Sequence, residues 1–403
     1  MPPSLPYDVL LHIFSYLDPI QDPDEGLRTT PASLLQVQRH LGSTLSLLSR
    51  DWRDVGVRYL WSNFVLSFAT SQSRRKLVLL VGNDEVATRV KRLLIIAGAH
   101  DVEQTVGMPI EFLLPSLPNL ESLEISAPPY FAQRLFSQLE PDNLERLRHL
   151  TLTTLNTSLV EHPYYPAFLL NLLPRFPKLT SLEIGVDLPA SGTLSHVPLV
   201  RLQHLTRFLL SNSTTGPSTL AIPFLSSLLS LIEASKDSLT SLSLGSRTIP
   251  STLPEFISTL SRLEHLSITC DRTSLELEFA RLVEHWSKLT NLRTVSIGVL
   301  PDWTAPLHLA SSELSDRLVV QLFNSFENSL DLTRVSLDVD LTRYESTVQA
   351  WLKDRWHRGN FEVFEWCTWI PVQRERVQVR FCRRASGGWQ REQDGVLEDT
   401  IGA

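Results

Sequence analysis

The residue types able to do covalent or metal chemistry are present in this chain but scattered. It has eleven histidines and three cysteines in 403 residues. Cys270, Cys367 and Cys382 show no Cys-x-x-Cys spacing, so they make neither a zinc site nor a disulfide framework and read as reduced thiols. No Gly-x-Gly-x-x-Gly, Walker loop, Gly-x-Ser-x-Gly or His-Glu-x-x-His occurs. His149 and His265 have no cysteine or carboxylate set beside them, so as a catalytic or metal pair they read as surface or packing residues. The densest aromatic region, Trp351, Trp356, Trp366 and Trp369, suits a terminal core better than a ligand cage. An enzyme is not expected, and neither a cofactor nor a metal. What remains is binding.

Bulk properties narrow the kind of partner. A formal net charge of -7 argues against nucleic acid, because a phosphate-reading surface needs clustered Lys and Arg. No run of about eighteen apolar residues occurs, so no membrane span is expected. The first residues lack a positive n-region and His12 interrupts their apolar run, which speaks against a secretory signal. A cytoplasmic or nuclear protein is the expectation. At 403 residues, one compact core is too small a container, and either several domains or a repeat array is required.

A repeat is present. The pattern Leu-x-x-Leu-x-(Leu/Ile), with conservative replacements, opens at Val90, Leu120, Leu147, Leu179, Leu205, Leu239, Leu263, Leu292 and Leu332. These starts lie 24 to 40 residues apart, and Phe361-Glu362-Val363-Phe364-Glu365-Trp366 is a degenerate tenth copy. A helix-like segment fills each gap, with prolines at the edges. A short strand plus a helix every thirty residues or so is the leucine-rich-repeat unit. The fold class expected is therefore α/β, with parallel strands inside a curve and helices outside. Alternate strand residues, positions four and six, point into the core, and no repeat buries enough apolar area alone. The usual Asn at the ninth position is absent, those places being Gly98, Pro128, Leu155, Asp187, Ser213, Arg247, Asp271, Leu300 and Asp340. The turns must close by other means, and an irregular solenoid is predicted.

The N-terminal stretch is of another kind. Val9/Leu10, Ile13/Phe14 and Leu17 fall on one helical face, with Pro6 in the first turn and Asp8 near the positive end of the helix. So short a helix cannot bury its own apolar stripe. It is followed by an acidic turn-rich break from Asp18, then by Leu47-Leu48-Ser49-Arg50-Asp51-Trp52-Arg53 and Tyr59-Leu60-Trp61. The order Leu5-Pro6, an amphipathic helix carrying Ile13-Phe14, then Ser-Arg-x-Trp-Arg and Leu-Trp, resembles an F-box. The resemblance covers about a sixth of the chain. It departs from the family in an insert at 18–44, roughly seventeen residues longer than usual, part of which is itself helix-like.

The resulting division is 1–66 as an F-box-like, adaptor-binding domain of three helices, 67–88 as a joint or capping repeat, and 89–370 as nine or ten leucine-rich repeats. Residues 371–384 read as a C-terminal capping strand, because Arg376 to Cys382 alternates apolar and polar. Residues 385–403, with Gly387-Gly388 and an acidic finish, read as a disordered tail.

The F-box resemblance implies docking on a small Skp-type adaptor, and through it on a cullin, with the rest of the chain holding a protein substrate for ubiquitin transfer by another enzyme. The adaptor-facing residues it implies are Leu5, Pro6, Leu10, Ile13, Phe14 and Leu17, with Leu47, Trp52 and Trp61 completing or buttressing the site. Trp52 and Trp61 fit interior packing as well. On the repeats, positions three, five and seven face the concave surface, which puts Glu124, His149, Glu183, Ser243, His265, Ser296 and Arg334 among the substrate-facing candidates. The alternative is a leucine-rich-repeat interaction scaffold with no part in ubiquitin transfer.

Overall fold

The computed structural model describes residues 6, 9–10, 51–53, 61–69, 72–98, 101, 105, 107–140, 144–154, 165–186, 202–212, 221–246, 248–286, 288–299, 316–328, 332–338, 341–356, 362–370, 375–383, 389–393 and 396–401. The chain divides into two compact units, Met1–His162 and Pro163–Ala403.

The leucines of the repeat explain the architecture of both units. In the first, β1 (Asn63–Ser67), β2 (Arg92–Ile96), β3 (Ser122–Ala127) and β4 (His149–Thr154) pair in parallel, each with the next. Position four (Leu93, Leu123, Leu150) and position six (Ile95, Ile125, Leu152) are at most 2% exposed. Burying a side chain of this size contributes about 1.5–3 kcal/mol. Between β1 and β2 lie α1 (Ser73–Gly82) and α2 (Asp84–Ala87), and α3 (Pro129–Leu135) follows β3. Asn83 caps α2 by accepting from the Val86 amide, and α3 starts on a proline, where a missing N–H costs nothing.

In the second unit, β5 (Ser181–Val186), β6 (Arg207–Asn212), β7 (Ser241–Gly245), β8 (His265–Cys270), β9 (Thr294–Val299), β10 (Arg334–Asp338) and β11 (Val363–Ile370) form a parallel ladder in chain order. Helices α4 (Tyr165–Leu172), α5 (Ala221–Ile232), α6 (Leu253–Ser258), α7 (Arg272–Trp286), α8 (Asp316–Asn328) and α9 (Glu345–Trp356) lie between or before the strands. Strands parallel and in sequence order, with α5 to α9 filling the intervals from β6 to β11, make a leucine-rich-repeat fold.

The turns close at position two of the motif. The Thr180 carbonyl accepts from the amides of Thr206 (2.8 Å) and Arg207 (3.1 Å), one repeat later. The same two-pronged bond recurs from Thr206 to Thr240 and Ser241, from Thr240 to Glu264 and His265, from Glu264 to Arg293 and Thr294, and from Arg293 to Thr333 and Arg334. It also joins Lys91 to Glu121 and Ser122, and Glu121 to Arg148 and His149. Where position two is threonine, the hydroxyl adds a bond to the same carbonyl, at 3.0 Å from Thr206, 3.1 Å from Thr240 and 3.2 Å from Thr333. Two asparagines just before the motif bridge neighbouring turns as well: Asn119 Nδ2 donates to Thr88 (2.7 Å) and Asn291 Nδ2 to Ser261 (2.8 Å). The absent ninth-position Asn is thus replaced by a position-two ladder.

Two features differ from the division read in the sequence. β1 straddles the 66/67 boundary and is already the first strand of the parallel sheet, and the rest of 67–88 supplies the helical half of its repeat. At the other end the ladder turns antiparallel: β12 (Glu375–Arg383) pairs with β11, β13 (Trp389–Gln393) with β12, and β14 (Val396–Ile401) with β13. Residues 385–403 therefore hold two strands where a disordered tail was expected. Their polar composition hid them, but antiparallel extension of an existing sheet edge satisfies backbone groups whatever the side chains. Arg391 of β13 also reaches Glu345 of α9 at 3.2 Å.

The aromatic region is a core. Phe364 is fully buried, stacked on Phe323 (6.0 Å between ring centroids), tilted against Trp351 (5.7 Å) and edge-on to Trp366 (6.1 Å), while Trp366 stacks on Phe381 (5.4 Å). Cys270, at the end of β8, is also core: burial, with help from Asp271, pushes its thiol up to about 12. Since the thiolate is the reactive form, iodoacetamide at neutral pH is expected to leave Cys270 unmodified in the native protein. Peptide mass spectrometry would show it alkylated only after unfolding.

Candidate interaction surfaces

Two surfaces carry the candidates, one at each end of the sequence logic. At the N-terminus, the Pro6 carbonyl accepts from the amides of Val9 (3.0 Å) and Leu10 (3.1 Å), the first turn of a helix begun by a residue with no amide to lose. Pro6 is exposed and Val9 is 42% exposed, whereas Leu10 is fully buried. Leu10 therefore braces this helix from inside, and Val9, beside it, takes the exposed place. Trp52 is half-buried between exposed Asp51 and Arg53. Trp61 stacks on Phe64 of β1 at 5.7 Å and 18°, a buttress between the F-box-like stretch and the first strand. Leu5, Ile13, Phe14, Leu17 and Leu47, with the 18–44 insert, lie outside the described residues.

On the sheets, the face away from the buried leucines carries positions three, five and seven in rows fixed by parallel register. In the first unit, position five is Val65, Leu94, Glu124 and Thr151. Val65 and Leu94 are 4% and 2% exposed, so the position-five row becomes accessible and polar only from β3. Glu124 is half-buried and His149 exposed, on adjacent strands but in different rows.

In the second unit, position five runs Glu183, Leu209, Ser243, Ser267, Ser296, Ser336 and Glu365, bringing Ser243 and Ser296 into one row. Position three runs Ser181, Arg207, Ser241, His265, Thr294 and Arg334, uniting His265 with Arg334. Position seven includes Gly185, Ser211, Gly245, Thr269, Gly298 and Asp338. Arg207 and Leu209, from the copy that opens at Leu205, join these rows beyond the candidates legible in the sequence.

Glu365 was missed too. Its side chain is 5% exposed, and its two oxygens take Arg334 Nη2 at 2.8 Å and Arg380 Nε at 3.0 Å. Burial works to raise its carboxyl, but the Arg334 guanidinium, the Ser336 hydroxyl and Arg380 outweigh that, and it sits below the ordinary carboxylate range. Its contribution to stability is accordingly complete above the unfolded carboxylate value and is lost as pH falls through the lower folded value. Glu365→Gln is expected to cost about 2 kcal/mol at neutral pH, the guanidiniums being partly exposed. Urea unfolding across pH checks this: the gap between wild type and variant should close in acid and stay constant above pH 6.

Among the described residues no three His, Cys, Asp or Glu groups come together as a metal set, and no helix is long and apolar enough to cross a membrane.

Residues 3–67 match the F-box-like family model. No curated protein matches the chain. Among solved structures, a Bacteroides fragilis protein determined by the Northeast Structural Genomics Consortium aligns at 14% identity over 65% of this chain and 71% of its own, with a TM-score of 0.42. The chain carries an F-box-like domain at its N-terminus, and leucine-rich-repeat strands follow it.

Proposed function

We propose that this protein is the substrate-recognition subunit of an SCF-type ubiquitin ligase, with no catalysis of its own. The F-box-like domain docks on a Skp-type adaptor, the adaptor joins it to a cullin, and the repeats hold a protein substrate. The observation that carries the reading is the F-box-like match over 3–67, since domains of this kind generally bind Skp-type adaptors. The polar strand face supports the second half, because side chains as short as Ser243, Ser267 and Ser296 let a partner's backbone approach and offer it hydroxyls.

Affinity capture of the full chain with the cullin blocked, so that substrates are retained, tests the proposal. It predicts that adaptor and cullin are recovered together with proteins whose turnover slows when residues 1–66 are deleted. Unchanged turnover of every captured protein would instead favour an interaction scaffold outside ubiquitin transfer.

A further inference from the structure

The position-three row of the second unit has a charge pattern that its composition hides. Arg207, His265 and Arg334 stand on β6, β8 and β10, and the strands between them carry Ser241 and Thr294. No acidic residue occupies position three from β5 to β10. Arg207 is exposed and His265 half-buried, and neither has a side-chain partner among the described residues. Arg334 differs in being held: Glu365 fixes one side of its guanidinium while 43% of the side chain stays exposed. A cation positioned in advance loses little entropy when it binds. The nearby carboxylates lie off this row: Glu264 at position two, 4.0 Å from Arg293, Glu183 and Glu365 at position five and Asp338 at position seven, with Glu365 already engaged by two arginines.

The spacing selects a shape of ligand. Neighbouring strands are about 4.8 Å apart, so every second strand brings a cationic or imidazole group at about 9.6 Å. A polyproline II segment has three residues per turn and rises about 3.1 Å per residue, so it presents the same side every 9.3 Å or so. A chain of that form crossing the strands would set each third side chain over Arg207, His265 and Arg334 in turn.

We infer that this row binds an extended acidic segment of a protein partner, in polyproline II form, with carboxylates at every third residue. The inference rests on the substrate-holding role proposed above and names the class of segment held.

Fluorescence anisotropy with the purified full chain tests it, using labelled peptides of four Glu-Pro-Pro units, four Gln-Pro-Pro units, and the same glutamates and prolines rearranged into two blocks. The Glu-Pro-Pro peptide is expected to bind at least tenfold more tightly than the glutamine peptide and several-fold more tightly than the block peptide. The double variant Arg207→Gln/His265→Gln, which leaves the Glu365 clamp intact, should lose at least tenfold. No binding, equal binding of the glutamate and glutamine peptides, equal binding of the block peptide, or an unaffected double variant would each overturn the inference. Adaptor capture is measured on the same samples. Its failure in the wild type counts against the proposed function, whereas peptide failure with adaptor captured counts against this inference alone.

Discussion

Replacing Ile13 and Phe14 together with alanine is expected to abolish capture of a Skp-type adaptor. Apolar anchors at the centre of an interface carry about 2 kcal/mol or more each. Two of them correspond to a loss of affinity approaching a thousandfold, reduced where the two side chains share contacts. The apolar spacing of the sequence predicts both for the middle of a helix, on the side that so short a helix cannot cover by itself. Leu10, one turn earlier, is fully buried, so Leu10→Ala should act through stability and not through contact. Calorimetric titration of adaptor into each variant, alongside its melting curve, separates the two effects. The Ile13/Phe14 variant should keep its melting temperature and lose the binding heat, and Leu10→Ala should melt earlier. Equal adaptor affinity in wild type and the double variant would remove the assignment of that helix face.

The largest stability effect is expected from Phe364→Ala. Phe364 is fully buried and its ring meets Phe323, Trp351 and Trp366, so truncation removes one side of three aromatic contacts and leaves a cavity. Large-to-small changes of this kind cost about 3–5 kcal/mol. In a repeat array each unit depends on its immediate neighbours, so the loss should be local. Hydrogen exchange is expected to accelerate in β10, β11 and β12 while β1 to β4 keep their protection, and the denaturant midpoint of the second unit should fall. Phe364→Leu, which refills most of the volume, should cost less than half as much. Uniform loss of protection along the whole chain would show that the repeats are not coupled in this way.

The core was legible in the sequence because a repeated apolar pattern states which residues must be dry. Leu239, Leu242 and Leu244, for example, stand at positions one, four and six and are all buried. Turn closure was not legible, since the familiar asparagine is absent and the groups replacing it are mostly backbone. Thr206 and Thr240 are visible as letters, but nothing in the sequence says that their hydroxyls reach a carbonyl one repeat back. The alternation of Phe64 to Phe68 is readable as a short strand, but without a complete leucine motif it does not show that β1 already belongs to the parallel sheet, so a boundary at 66/67 cuts through it. Glu365 shows the limit most sharply. A carboxylate at position five of a degenerate copy reads as a surface residue, and only the meeting of Arg334 from one neighbouring strand with Arg380 from the other accounts for its burial. Of the F-box-like stretch, the motif letters were readable, but the burial of Leu10 depended on packing that the 3.6-residue period does not resolve.

The central claim, that the N-terminal stretch is an adaptor-docking module, is met most directly by mixing the purified full chain with a Skp-type adaptor and measuring the mass of the eluting species by light scattering. A one-to-one complex that persists through the column is the predicted result. Two separate peaks at micromolar concentration, with the chain folded by circular dichroism, would contradict it.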